Sequence, residues 1–308
     1  MLLGRARYNL LQYQKRDNPS LDVLEWQVKD YRALKDEELF QGLNRLGLVM
    51  DEKTLRGLSG SPEEIIDQLA EDKREESYLY LFELWRRFRP DQKTVAIFCD
   101  ELDAFIEGYQ LGEQDESLLI ELFDILDESV DQGQKPKAVF KQLSNYLAHD
   151  LESFFYHYIY DQIKKGNETE ASELLEHIHE YTEGSLWLDF LRIRLLRGIP
   201  SEDAFAMISR FLEKLKAQSN LPLSFELLRY LIETGHKELF IKTYKDILKQ
   251  IKTEDHFIEM LEIIFEFYSL NDLEKEENLI RALILERKTI PLEQKIPPED
   301  KQKLSQIL

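Results

Sequence analysis

The sequence is poor in cysteine, glycine and proline, and it has no long apolar run. Cys99 is the single cysteine in 308 residues, so the chain can form neither an internal disulfide bond nor a zinc site made of several thiolates. Twelve glycines and nine prolines leave few positions for tight turns, which favours long helices. No apolar stretch approaches the roughly 18 residues that a membrane-spanning helix needs, and the first residues lack the continuous apolar core of a secretory signal. We therefore expect an all-α, cytoplasmic protein without a membrane span.

Basic side chains are outnumbered by acidic ones, 40 to 60, which gives a formal net charge of −20. A chain with this charge is repelled by phosphate backbones and by anionic membrane surfaces. We therefore expect no nucleic-acid partner, and a basic protein partner fits the charge better.

The imbalance is concentrated between Thr94 and Gln134, where 12 acids occur without a single Lys or Arg. Elsewhere the two signs alternate, as they do on ordinary exposed helices. The block is either a solvated surface or a docking surface for a basic segment or helix of another protein. The acids that we take as docking candidates are Asp100, Glu101, Asp103, Glu107, Asp124, Asp127 and Glu128.

A turn recurs through the second half of the chain. Its residues are Gly133, Gly166, Gly198, Gly235 and Asn271, spaced 33, 32, 37 and 36 residues apart. From the second turn onward, each lies between two amphipathic stretches of about a dozen residues or more. A helix-turn-helix unit that recurs near every 34 residues is typical of an α-solenoid. The predicted helix pairs cover about 150–183, 185–217, 222–252 and 254–288.

The two helices of each predicted pair differ in composition. The first is apolar nearly all round, and the second carries more charge on its outer face. This asymmetry favours a stack in which the first helices are sandwiched and the second helices coat the outside. Aromatic and basic residues of the first helices either belong to the core or contact a partner. The candidates of this kind are Tyr156, Tyr160, Trp187, Arg192, Arg194 and Tyr230.

We divide the chain into four segments. A basic N-terminal segment (1–19) precedes an acidic helical region (20–134), the helical repeats (135–288) and a C-terminal tail (289–308). Prolines in the tail end the repeats, and its last residues form either a short capping helix or a disordered end. Whether the basic segment is a targeting signal stays open.

Residues 165–175 (KGNETEASELL) resemble the inter-helix turn and second helix of a tetratricopeptide repeat. In that family a glycine closes the first helix, and a small residue five positions later lets the two helices approach closely. Gly166 and Ala171 occupy these two positions. The resemblance, which covers about residues 150–288, implies a right-handed α-solenoid that binds other proteins and has neither enzymatic activity nor a cofactor.

Few residues suggest chemistry. The dipeptide His149-Asp150 is of a kind that binds metals in helical phosphohydrolases, but those sites need an earlier histidine and this chain has none. Cys99 is flanked by apolar and acidic residues, which raise the pKa of a thiol and suppress its reactivity. No phosphate-binding glycine loop or nucleophile elbow is present.

Three functions follow from these observations. The first is a protein–protein interaction scaffold that uses a helical-repeat surface and an acidic face. The second is an adaptor or secretion chaperone that holds an unfolded client. The third is a metal-dependent helical hydrolase built around His149, Asp150 and His157. Pairing of the repeat ends into a homo-oligomer is also open.

Overall fold

The structure is a computed structural model that describes residues 31–110, 117–196 and 202–307. Within these residues the regular elements are α-helices and two short 3₁₀ turns, with no strand, so the predicted all-α class is confirmed. The predicted helix start near Ser20, the basic segment 1–19, the turn at Gly198 and the acids Glu113, Asp115 and Glu116 lie outside the described residues. In the described part of the chain, no helix combines the length and the apolar composition that a membrane crossing requires.

Seven helices make up the first part of the chain. They are α1 (Asp36–Leu46), α2 (Glu52–Arg56), α3 (Pro62–Ile66), α4 (Glu71–Phe88), α5 (Val95–Gln110), α6 (Ser117–Asp131) and α7 (Pro136–Ser144).

Nine helices follow, and the first eight of them are the predicted pairs. They are α8 (Leu151–Lys165), α9 (Glu168–Tyr181), α10 (Leu186–Leu195), α11 (Glu202–Gln218), α12 (Leu221–Glu233), α13 (Lys237–Gln250), α14 (Glu254–Leu270), α15 (Glu274–Arg287) and α16 (Pro298–Ile307). Every end of these pairs lies within two residues of the predicted one. The last helix answers the open question about the end of the tail, because Pro298–Ile307 are helical.

Local capping explains several of these boundaries. Helix α1 ends at Gly47, whose φ of 101° lies in the left-handed region where glycine is unstrained. Helix α3 begins after Ser61, whose hydroxyl accepts a hydrogen bond from the Glu64 amide, and Pro62 occupies its first turn.

The turn between α14 and α15 contains Asn271, as predicted. The next residue, Asp272, has a φ of 57° and adopts the left-handed conformation. Asn271 instead has φ of −106° and donates a side-chain hydrogen bond to the Phe267 carbonyl at 2.7 Å. Both residue types tolerate the left-handed region, so composition alone does not choose between neighbours.

The chain divides into two compact units. Unit 1 contains the described residues up to Phe155 together with Glu180–Thr182, and unit 2 contains Tyr156–His179 and the described residues from Glu183 onward. The division falls within α8, whereas our sequence segments change at residue 135.

Helix α4 is central to the core of unit 1. It packs on α1, α2 and α3, and its Trp85 is 1% exposed. The ring of Tyr80 meets Tyr31 edge to face at 4.8 Å and lies directly over Gly42 of α1.

Packing in unit 2 follows the chain order. Helix α10 packs on α11, α12 on α13, and α14 on α15. The first helices also pack on one another, α10 on α12 and α12 on α14. Helix α16 packs on α13, where the Tyr244 hydroxyl donates to the Leu304 carbonyl at 3.0 Å.

Candidate partner-binding surfaces

The candidate acids of residues 94–134 separate into buried and exposed ones. Asp100 is 2% exposed, and its carboxylate accepts a hydrogen bond from Nη2 of Arg32 at 2.7 Å. It is therefore used inside unit 1 and offers nothing to a partner. This corrects our expectation for Asp100.

Asp103 is also withdrawn from the surface, at 1% exposed. Its carboxylate accepts hydrogen bonds from the backbone amides of Ala148 and His149 at 2.9 to 3.0 Å, and it lies 2.9 Å from Nδ1 of His149. The hydrogen bond to Asp103 raises the pKa of His149 above its ordinary value, against an opposing effect of burial. Asp103 thus joins α5 to the turn before α8, and we remove it from the docking candidates.

Lys93, one residue before the acidic block, neutralises part of it. Its Nζ lies 2.8 Å from a carboxylate oxygen of Glu101 and 2.7 Å from one of Glu121. Glu101 is therefore paired rather than available. Sequence reasoning missed this lysine because we drew the block by the sign of its charges and stopped at Thr94.

The remaining acids of the candidate set are exposed. The side chain of Glu107 is 66% exposed, and its Oε1 lies 3.8 Å from Nε2 of His149. Asp124, Asp127 and Glu128 lie on the outer side of α6. Asp127 accepts a hydrogen bond from the Tyr181 hydroxyl.

The outer side of α6 carries one continuous stripe. Ile120, Asp124, Asp127 and Asp131 are spaced i, i+4, i+7 and i+11, and Glu128 lies beside them. Ile120 is 66% exposed among these carboxylates. Within the described residues, the side-chain carboxylates of Asp124, Glu128 and Asp131 accept no hydrogen bond and form no ion pair. We call Ile120, Asp124, Asp127, Glu128 and Asp131 the α6 acidic face.

A mainly apolar pocket of about 100 Å³ adjoins α6 and α7, and two of its lining residues, Ile125 and Ser129, directly follow Asp124 and Glu128 of the α6 acidic face in the chain. The pocket is lined by Val95, Ile125, Ser129, Gln134, Val139, Gln142, Leu143 and Tyr146. Its size suits one apolar side chain rather than a cofactor, since cofactor sites usually exceed about 300 Å³.

The aromatic candidates of unit 2 mostly pack on one another. Tyr156 is buried, meets Trp187 edge to face at 4.9 Å and stacks on Tyr160 at 6.0 Å between ring centroids. Burial raises the pKa of the Tyr156 hydroxyl above its ordinary value. Tyr160 and Trp187 keep part of their surface exposed, so these two remain candidates.

Arg194 and Tyr230 belong to the interior of unit 2, which corrects their place among the candidates. Arg194 is 7% exposed, with its guanidinium 4.7 Å from the ring centre of Tyr160 and 3.3 Å from the Glu233 carboxylate. Tyr230 is 2% exposed and donates its hydroxyl to the Ile193 carbonyl at 2.9 Å. Both side chains tie neighbouring first helices together.

Arg192 lines a pocket of unit 2. The pocket measures about 190 Å³ and lies between α10 and α11. Nη1 of Arg192 is 3.4 Å from Nε2 of His179, while Asp189 pairs with Nζ of Lys214 at 2.8 Å. Sequence reasoning missed the α11 side of this pocket. The signal was the spacing i, i+3, i+4 and i+7 of Met207, Arg210, Phe211 and Lys214.

The candidates for metal and thiol chemistry, His149, Asp150, His157 and Cys99, all lie within the described residues. Among the residues that the structure describes, no group of three or more His, Cys, Asp or Glu side chains is placed to hold a metal ion. Cys99 is buried, and burial raises the pKa of its thiol, with a further contribution from Asp103 and Asp100.

Comparison with known proteins found no matching family model, no matching curated protein and no matching solved structure. The resemblance of residues 165–175 to a tetratricopeptide repeat therefore stays a prediction.

Proposed function

We propose that this chain is a non-enzymatic, cytoplasmic scaffold that binds another protein through the α6 acidic face. The observation that carries the proposal is the combination of three unpaired, exposed carboxylates, an exposed Ile120 and an adjoining apolar pocket. The partner is a basic segment or helix with an apolar side chain that enters the pocket.

The pocket matters because exposed ion pairs alone would bind a partner weakly. An exposed ion pair contributes about 0 to 1 kcal/mol, and salt screens it. Complementary charge mainly speeds association and selects the partner, whereas a buried apolar anchor supplies affinity. The α6 acidic face and its pocket together offer both contributions.

We also propose that unit 2 is a right-handed, tetratricopeptide-like α-solenoid that supplies a second partner surface. Support comes from the packing of α10, α12 and α14 on one another in chain order, with α11, α13 and α15 each packed on the first helix of its own pair. Tyr160 and Trp187, on first helices, are the aromatic candidates on that surface.

The test is affinity capture from a cytosolic extract with two matched variants. The test variant is D124N/E128Q/D131N, which spares Asp127 and so leaves its hydrogen bond with Tyr181 in place. The control variant is E173Q/E176Q/E180Q, which removes three exposed acids of α9 and changes the net charge equally. Each bait is washed at about 50 mM and about 500 mM salt, and the retained proteins are identified by mass spectrometry.

We expect one partner that the wild type and the control retain at low salt and that the test variant loses. Release of that partner by high salt would agree with a docking surface made of charges. Equal retention by all three baits would overturn the role of the α6 acidic face. Retention of many unfolded proteins would support the chaperone function instead.

A further inference from the structure

The pocket between α10 and α11 is basic in a strongly acidic chain. Arg192, Arg210 and Lys214 line it together with a single acid, Asp189. Asp189 is occupied by Lys214 at 2.8 Å. Neither arginine forms an ion pair with an acid among the described side chains. Nη1 of Arg192 lies 3.4 Å from Nε2 of His179, and the other guanidinium donors of the two arginines are left for a ligand.

The arginines surround an apolar floor. Ile193 is 1% exposed and Phe211 is 3% exposed, and both contribute to the pocket wall. Met207, at the pocket edge, is 41% exposed. The pocket therefore offers an apolar surface with cationic groups around it, which suits a ligand that has both an apolar group and negative charge.

The dimensions of the pocket restrict the ligand further. A volume of about 190 Å³ is below the roughly 300 Å³ at which pockets for drug-sized molecules and cofactors begin. One or two side chains of a peptide fit this volume. Arginine is well suited to carboxylates because its planar fork can donate two parallel hydrogen bonds.

We propose that this pocket binds an acidic segment of a partner protein, with an apolar side chain on the floor and its neighbouring carboxylates on Arg192 and Arg210. This site uses residues other than those of the α6 acidic face and selects the opposite charge. Separate experiments therefore test the two proposals, and either can fail without the other.

Isothermal titration calorimetry with three synthetic peptides tests the proposal at about 150 mM salt. The probe is Gly-Glu-Asp-Phe-Glu-Asp-Gly. The second peptide replaces the acids by Gln and Asn, and the third replaces Phe by Gly. We expect the wild-type chain to bind the probe and to bind each of the other peptides at least about tenfold more weakly. The second peptide lacks the charge-assisted hydrogen bonds, and the third lacks the apolar contact.

Two protein variants locate the binding. R192M/R210M keeps the aliphatic bulk of both side chains and removes both guanidinium groups, so we expect at least about tenfold weaker binding of the probe. R45M/R281M removes two exposed arginines outside the pocket and should leave binding unchanged. M207E, at an exposed helical position, adds a repelling carboxylate at the pocket edge and should weaken binding without a change in folding.

Three outcomes would overturn the proposal. One is the absence of probe binding by the wild type up to about 1 mM peptide. The second is an equal loss in R45M/R281M, which would mean unspecific attraction to arginine. The third is equal binding of the peptide without Phe, which would mean that the site binds anions alone. Circular dichroism of every variant separates loss of the ligand from loss of the fold.

Discussion

Glu254, the first residue of α14, and Arg287, the last residue of α15, form a two-point ion pair that is almost completely withdrawn from solvent. Nε and Nη2 of the arginine donate to the two carboxylate oxygens at 2.5 and 2.6 Å. The remaining Nη1 donates to Asp300 of α16 at 2.7 Å. One arginine thus joins the last helix pair to the C-terminal helix.

Arg287→Ala should lower the free energy of unfolding by about 3 to 5 kcal/mol, because the substitution leaves the Glu254 carboxylate buried without a partner. Urea unfolding followed by circular dichroism measures the change. The double variant R287M/E254L removes both charges and should recover most of the loss. A double variant as unstable as Arg287→Ala would show that the unpaired charge is not the cause.

The Asp103–His149 pair should make stability depend on pH. The folded state raises the pKa of His149 above its ordinary value of 6.5, so the folded state binds the proton more tightly than the unfolded state does. This contribution is fully present below the unfolded pKa and is lost as the pH rises through the folded pKa. His149→Gln should therefore destabilise the protein more at about pH 5.5 than at about pH 8.5.

The matched control for this experiment is His157→Gln, which replaces an exposed histidine of α8. We expect the pH-dependent part of the loss only in the His149 variant. A loss of the same size at both pH values would show that the contact stabilises the fold without a contribution from protonation.

Gly42→Ala should destabilise unit 1 by about 1 to 3 kcal/mol through overpacking. A Cβ at this position would lie 2.2 Å from Cε1 of Tyr80, whose ring is buried against Tyr31 and cannot move aside freely. Gly57→Ala is the control, because its Cβ would meet no atom closer than 3.4 Å. Thermal unfolding compares the two, and similar shifts of the midpoint would contradict the steric explanation.

Arg89→Lys should destabilise the protein although the charge is conserved. Nη1 of Arg89 donates to the carbonyls of Leu55 and Leu58 at 3.0 and 2.9 Å, and the guanidinium lies 4.9 Å from the ring centre of Trp85. A lysine ammonium lacks the planar guanidinium group that makes these contacts, so one buried carbonyl is left without a donor. We expect the free energy of unfolding to fall by about 1 to 3 kcal/mol. Arg281→Lys, at an exposed position, should be neutral in the same urea titration.

The sequence by itself determined the helices, because their signals are local. The spacing of apolar residues and the turn glycines placed the outer ends of the four helix pairs from α8 to α15 to within two residues. The cap at Ser61 and the helix end at Gly47 are local in the same way, since each depends on hydrogen bonds that span only a few residues. In the turn between α14 and α15, the left-handed residue is Asp272 and not its neighbour Asn271, and both residue types suit that conformation.

Only the tertiary structure decided which charges are available to a partner. Asp100 and Asp103 have the same local sequence character as the exposed acids of α6, yet their partners Arg32 and His149 lie 68 and 46 residues away. The pocket at Arg192 likewise needs side chains from two helices. A buried charge must find a compensating group, and that group is supplied by packing between distant segments, which the local pattern of one sequence does not contain.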